Sequence, residues 1–276
     1  MPTEKPELVS SYVEFVDFRK QAQVDGIIDL KNKKWLNSSG VLLLAYLKSE
    51  YCCEVISTGE SNAKGYLDQM TQDPLWWTIE TKLILNRKNS YVPFSQLPKK
   101  ETDFKTLFAR VSDLLKSHRP SGGEQAFKYV LGEPTDNIYQ HSNFKNSYVM
   151  CQAYRNKGYV ELSFIDDGIS IPGNFEKHSI DFQGDWDAIS LAVSGQSTKY
   201  DYERGTGLRS SLEIYCEGAG AEAMIVSRNG LYYKKSQEAE LYCLDDQEKF
   251  PGTLISIRIP VKIGNIEIYE FLGRSF

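Results

Sequence analysis

From residue 104 onward the apolar residues change their spacing several times, and that alternation restricts the fold more than any other property of the chain. In "FKTLFARVSDLLKSH" (104–118) they fall at 104, 107, 108, 111, 114 and 115, the spacing of a helix with one buried stripe. "GEQAFKYVLGEPTDNIYQHS" (123–142) reads as a second helix. "SYVMCQAYRN" and "GYVELSFIDD" then read as two strands separated by a turn at Asn156–Gly158. "DWDAISLAVSG" is a helix with Asp185 as N-cap and Gly195 as its stop. "GTGLRSSLEIYCEGAG" opens a helix after glycines. "AEAMIVSRNGLYYKK" is a hairpin turning at Asn229–Gly230, and "GTLISIRIP" is a closing strand. The order predicts a helical layer on a mixed sheet, an α/β architecture.

The first part of the chain alternates differently. "GIIDL" (26–30) and "CCEVIS" (52–57) read as strands. Between them lies a helix capped by Asn37, Ser38 or Ser39, with an apolar stripe at Val41, Leu44, Ala45 and Leu47. A further helix runs from Ser61 through Met70. Strands alternating with helices imply a small α/β domain. "SYVPFSQLPKKETDF" (90–104) combines two prolines with a charge run and reads as a linker or domain edge. The expected units are therefore residues 1–98 and 99–276.

Composition excludes some function classes. A net charge of −5 over 276 residues leaves no global footprint for nucleic acid. The longest apolar run, "VLLLAYL" (41–47), is far too short to span a bilayer. "MPTEKPELVSSY" lacks the apolar core of a signal peptide. The five cysteines are sparse and lack paired metal-ligand spacing, so a reducing cytoplasm is the expected compartment. His118, in "LLKSHRP", has no acidic neighbour, which argues against a sensor-kinase phosphoacceptor.

Three segments carry chemistry. Glu133, Asn137 and His141 stand four residues apart, and steps of four stay on one helical face with a drift of about 40°. Pro134 interrupts that row; it removes a backbone N–H and clashes with the carbonyl of Val130, so a bend or a new helix start is expected. "FIDDGISIPG" (164–173) is a strand running into two aspartates and a glycine. "RGTGLRSS" (204–211) is a glycine pair at the mouth of a helix, where backbone N–H groups can approach a phosphate.

In this order the three segments resemble the ATPase family of gyrase, heat-shock chaperones, histidine kinases and MutL, usually called GHKL. Glu133 and Asn137 match its E-x-x-x-N box. Asp166, Gly168 and Ser170 look like its D-x-G-x-G box, with Ser170 in place of the second glycine, so that the turn cannot freely take a positive φ. Gly205 and Gly207, with Thr206 between them and Leu208 after, look like its G-x-G box, and Gly252–Thr253 resembles its final contact before the last strand. The resemblance covers roughly residues 104 to 262. It implies a Bergerat-type two-layer fold binding ATP with Mg²⁺, and it gives the residues roles. Asn137 would hold the metal, Glu133 would act as general base, and Asp166 would accept the adenine amino group. Residues from Ile171 to Arg204 would form a mobile lid, and Thr253 would line the site; the charge of Lys199 and Arg204 and their place at the end of that segment, not the resemblance, make them the cations expected to meet the γ-phosphate.

"IIDLKNKKWLNSSGVLLLAYLKS" is similar to the STAS domains of anti-anti-sigma factors, with Asn37 where that family has aspartate. In that family a serine of the motif is phosphorylated by a GHKL partner, which singles out Ser38 and Ser39; the alternative is that they only cap the helix. Together the resemblances imply an ATP-binding regulator of the anti-sigma-kinase type, with ATP or ADP and a regulatory protein as partners and room for a homodimer. Two alternatives stand beside it: an ATP-driven conformational switch of the gyrase type, and a nucleotide-sensing module without chemistry.

Overall fold

The structure is a computed structural model that describes residues 5–31, 33–71, 90–100, 104–118, 123–196, 207–261, 266–267 and 269–272. Helix α1 (Glu7–Asp25) leads into β1 (Ile27–Asp29), α2 (Ser38–Tyr51), β2 (Glu54–Ile56) and α3 (Asn62–Thr71). After them come β3 (Tyr91–Gln96), α4 (Lys105–His118), α5 (Gly123–Asn137) and a π-turn at Ile138–Ser142. The remainder is β4 (Ser147–Tyr154), β5 (Tyr159–Asp166), α6 (Ser170–Lys177), α7 (Asp185–Val193), α8 (Gly207–Leu212) with a π-turn to Gly218, β6 (Glu222–Arg228), β7 (Gly230–Lys235), β8 (Glu238–Cys243), β9 (Phe250–Pro260) and α9 (Tyr269–Leu272).

Strands β3 to β9 form one seven-stranded sheet in the order β3-β4-β5-β9-β6-β7-β8. Every pairing in it is antiparallel, so the expectation of a mixed sheet is corrected. Parallel pairing is confined, among the described residues, to β1 and β2.

Both faces of this sheet are covered. On one face Val149, Leu162, Phe164, Ile225, Ile255 and Ile257 join the buried stripes of α4 and α5, Leu107, Val111, Leu115 and Val130 among them. On the other face Met150, Ile165, Met224, Val226 and Leu254 pack with Leu8, Tyr12, Phe15, Leu43 and Leu47 of α1 and α2. Alternation along each strand sends successive side chains to opposite faces, and here each face meets helices.

The polar residues on the α2 side are buried with their partners. Glu161 of β5 is fully buried, and its Oε2 accepts from Nε and Nη2 of Arg258 at 3.1 and 2.9 Å. Its Oε1 accepts from the backbone N–H and the hydroxyl of Ser39 at 2.8 and 3.1 Å. Glu7 takes the remaining nitrogen of Arg258 at 2.8 Å. Ser163 and Ser256 bond to each other at 2.9 Å. A buried ion pair persists only when its charges are also hydrogen-bonded, and Ser39 supplies those bonds from the other layer.

Four further readings change. The stretch read as a linker contains β3, and Pro93 fits there because β3 is an edge strand whose register shifts between Val92 and Ser95. Gly184, not Asp185, is the cap of α7; Asp185 instead accepts from the N–H of Asn229 at 3.0 Å. The β6–β7 turn lies one residue earlier than Asn229–Gly230, since Gly230 already pairs with Ser227. Gly230 is small because a Cβ there would lie 2.7 Å from the Asp185 carbonyl oxygen and from Ile189. Helix α1 and strand β8 add elements that the sequence reading does not contain.

Candidate functional site

The last turns of α5, the end of β5, the start of α6, the mouth of α8 and the start of β9 surround one cavity. Glu133, Pro134, Asn137 and His141 line it from one side, Phe164 and Asp166 from the sheet, and Gly207 with Leu208 from α8. Ser170, Ile171, Asn174, Thr253 and Ile255 line it as well. Glu133, Asn137, Asp166, Ser170, Gly207, Leu208 and Thr253 are thus brought together. Lys199, Arg204, Gly205 and Thr206 lie outside the described residues.

Helix α5 runs through Pro134 and widens only afterwards, into the π-turn at Ile138–Ser142. No new helix starts at the proline. Thr135 next to it donates its hydroxyl to the Leu131 carbonyl at 2.6 Å, a back-bond of the kind that accompanies a slight bend in a helix. Glu133, Asn137 and His141 are each half-buried and remain on the cavity side.

The two aspartates of "FIDDG" divide their work. Asp167 holds the preceding loop, its Oδ1 accepting from the N–H groups of Lys145 and Asn146 at 2.7 and 2.8 Å. Asp166 lines the cavity, 3% exposed, and its Oδ1 accepts from the Gly168 N–H at 2.9 Å. Burial pushes its carboxyl up to about 7, against the lowering effect of that N–H.

Glycines in this region are required by close approach. A Cβ on Gly168 would lie 2.1 Å from the Ser142 carbonyl oxygen, and one on Gly252 would lie 1.9 Å from that of Asp166. Ser170, standing where a glycine was expected, does adopt φ +71. The left-handed region is unfavourable for a residue with a Cβ, by about 1–2 kcal/mol. Its hydroxyl accepts from the Gly173 N–H at 3.2 Å.

The segment expected to be a lid carries the helix read from the sequence, α7, and a second one before it, α6. It is tied to the sheet: Ser227 Oγ accepts from the Ile171 N–H at 3.0 Å and lies 3.1 Å from the Thr253 hydroxyl. Ser227 was not among the expected residues. Its only sequence signal is its place at the end of a strand next to the hairpin.

Ser38 and Ser39 stand apart from the cavity, on the opposite face of the sheet. Both are fully buried, and α2 is capped by the Asn37 side chain, which accepts from the Gly40 N–H at 2.8 Å. In this arrangement neither hydroxyl is accessible to a kinase.

Among the described residues no group of three or more His, Cys, Asp or Glu is arranged to hold a metal ion, and no helix is long and apolar enough to cross a membrane. Comparison with family models, curated proteins and solved structures finds no match.

Proposed function

We propose that this chain is an ATP-binding regulatory protein of the GHKL type. The observation that carries the reading is the convergence, in one cavity, of Glu133 and Asn137 from a helix end, Asp166 from a strand end and Gly207 from a helix start. A buried carboxylate with one oxygen tied to a backbone N–H is suited to accept from the exocyclic amine of a purine. The N–H groups at the start of α8, where Gly207 stands, suit phosphate. We further propose a Bergerat-type fold for the large sheet with α4 to α8, and a STAS-like origin for β1, β2, α2 and α3.

The residues fit Mg²⁺ only as an ion that arrives with its ligand. The Asn137 amide oxygen is a hard donor and Glu133 lies one turn away, so Asn137 would hold the ion and phosphate oxygens would complete its shell. A bound Mg²⁺ would neutralise phosphate charge. Glu133 would orient and deprotonate the attacking oxygen, and Asp166 would fix the base.

Because Ser38 and Ser39 are sealed, neither serves as phosphoryl acceptor in the folded chain. Titration calorimetry with ATP, ADP and GTP, with and without Mg²⁺, tests the reading: saturable binding of the adenine nucleotides over GTP supports it. Absence of binding overturns it.

A further inference from the structure

We propose that Arg228 is a positioning residue for this cavity, clamping α6 and α7 into a preformed wall rather than a free lid. Arg228 is the last residue of β6 and adopts φ +49, in the left-handed region. The sheet register shifts between Ser227 and Arg228. A bulge re-aims the side chain that follows it, and here that side chain crosses to α6.

Its Nη1 and Nη2 donate to the two carboxylate oxygens of Glu176 at 2.6 and 2.8 Å. Nη1 also lies 3.9 Å from Asp185 at the first turn of α7. One guanidinium therefore joins the hairpin to both helices. A bidentate fork fixes direction as well as distance, which a lysine would not do. The wall matters because Ser170, Ile171, Asn174 and Phe175 of α6 and Ala192 of α7 line the cavity.

Gly173 gives an independent sign of the same arrangement. A Cβ there would lie 2.7 Å from Nη2 of Arg228, so the helix leaves out a side chain where the guanidinium crosses it. Glycine inside a helix is unfavourable relative to alanine by about 1 kcal/mol. On helix propensity alone Gly173→Ala should stabilise α6; the clamp requires the opposite.

The part of the proposal that concerns affinity rests on the nucleotide reading, whereas the part that concerns the wall does not. Hydrogen exchange of the 170–193 segment and affinity for a fluorescent ATP analogue are to be measured for wild type, Arg228→Gln, Arg228→Lys, Glu176→Gln and Gly173→Ala. Amides of the segment should exchange about threefold or more faster in Arg228→Gln, Glu176→Gln and Gly173→Ala, with Arg228→Lys between them and wild type. Analogue affinity should fall by a similar factor. Unchanged exchange in Glu176→Gln, or slower exchange in Gly173→Ala, overturns the clamp even if Arg228→Gln folds poorly. If wild type does not bind the analogue, the nucleotide reading fails and the exchange rates alone decide the clamp.

Discussion

Oε2 of Glu133 lies against the backbone of Gly207, so close that a Cβ added there would come within 1.8 Å of it. The last turns of one helix and the first residue of another thus share a space that the Glu133 carboxylate fills. The obstacle is the end of a flexible side chain, so Gly207→Ala should fold and its cost should fall on the site. Melting temperature should stay within a few degrees of wild type. ATP turnover should drop about tenfold or more, as expected when a general base is displaced.

Glu133→Gln and Asn137→Ala should differ in kind. A general base acts in the transition state, so Glu133→Gln should bind ATP almost normally and turn over about a hundredfold more slowly. A metal ligand works in both states, so Asn137→Ala should lose Mg²⁺-dependent affinity as well as rate. Equal affinity losses in the two variants would contradict these roles.

Asp166 makes a prediction about stability against pH. Its carboxyl titrates near 7 in the folded chain, raised from 3.8 by burial. The folded state therefore holds a proton that the unfolded state releases. That stabilisation is full below about pH 4 and is lost as pH rises towards 7, by at most about 4 kcal/mol. Urea unfolding across pH 4–8 should show the decline in wild type and a flatter curve in Asp166→Asn. Adding Mg-ATP at pH 8 should stabilise wild type far more than the variant.

Arg258 and Glu161 predict a non-additive pair. Arg258→Ala leaves Glu161 buried without its cation and should destabilise the protein by about 3–5 kcal/mol. The double variant Arg258→Met with Glu161→Gln should recover a large part of that loss. Chemical denaturation of Arg258→Met, Glu161→Gln and the double variant measures the coupling.

Incubation with γ-labelled ATP should leave Ser38 and Ser39 unlabelled while the protein is folded, since both are fully buried. Label on either residue, located by mass spectrometry, would mean that α2 leaves the sheet during the reaction.

Glu133, Asn137, Asp166 and Gly207 were legible because each sits at an element boundary that local chemistry marks and because their segments, taken in order, resemble a known family; the apolar lining, Phe175 and Ile255 among it, was not. Glu133 and Asn137 follow from helical spacing, Asp166 from a strand ending in "DDG", and Gly207 from a glycine at a helix start. The edge strand β3 was hidden by Pro93 and Pro98, which read as linker residues. Strand β8 shows no alternation, since Glu238 to Leu241 are all exposed. Helix α1 has helical spacing at Leu8, Val9, Tyr12, Phe15 and Val16, but prolines at 2 and 6 obscure its beginning. The second helical layer was least legible. Glu161, Ser163, Ser256 and Arg258 alternate with apolar residues as if facing water, and only their partners in space show that they do not.

That second layer bears on how the chain can be divided. A fragment starting at residue 99 would lack the edge strand, leaving one side of β4 without its backbone partners. It would also bare Met150, Ile165, Met224, Val226 and Leu254, now covered by α1 and α2, and leave Glu161 and Arg258 without Ser39 and Glu7. Such a fragment would have an uncovered apolar plane, with the Glu161–Arg258 pair set in it, next to an open strand edge, a combination that promotes self-association. Recovering residues 99–276 in soluble form should require residues 1–98, with the edge strand Tyr91–Gln96, on the same chain or supplied alongside it as a separate polypeptide.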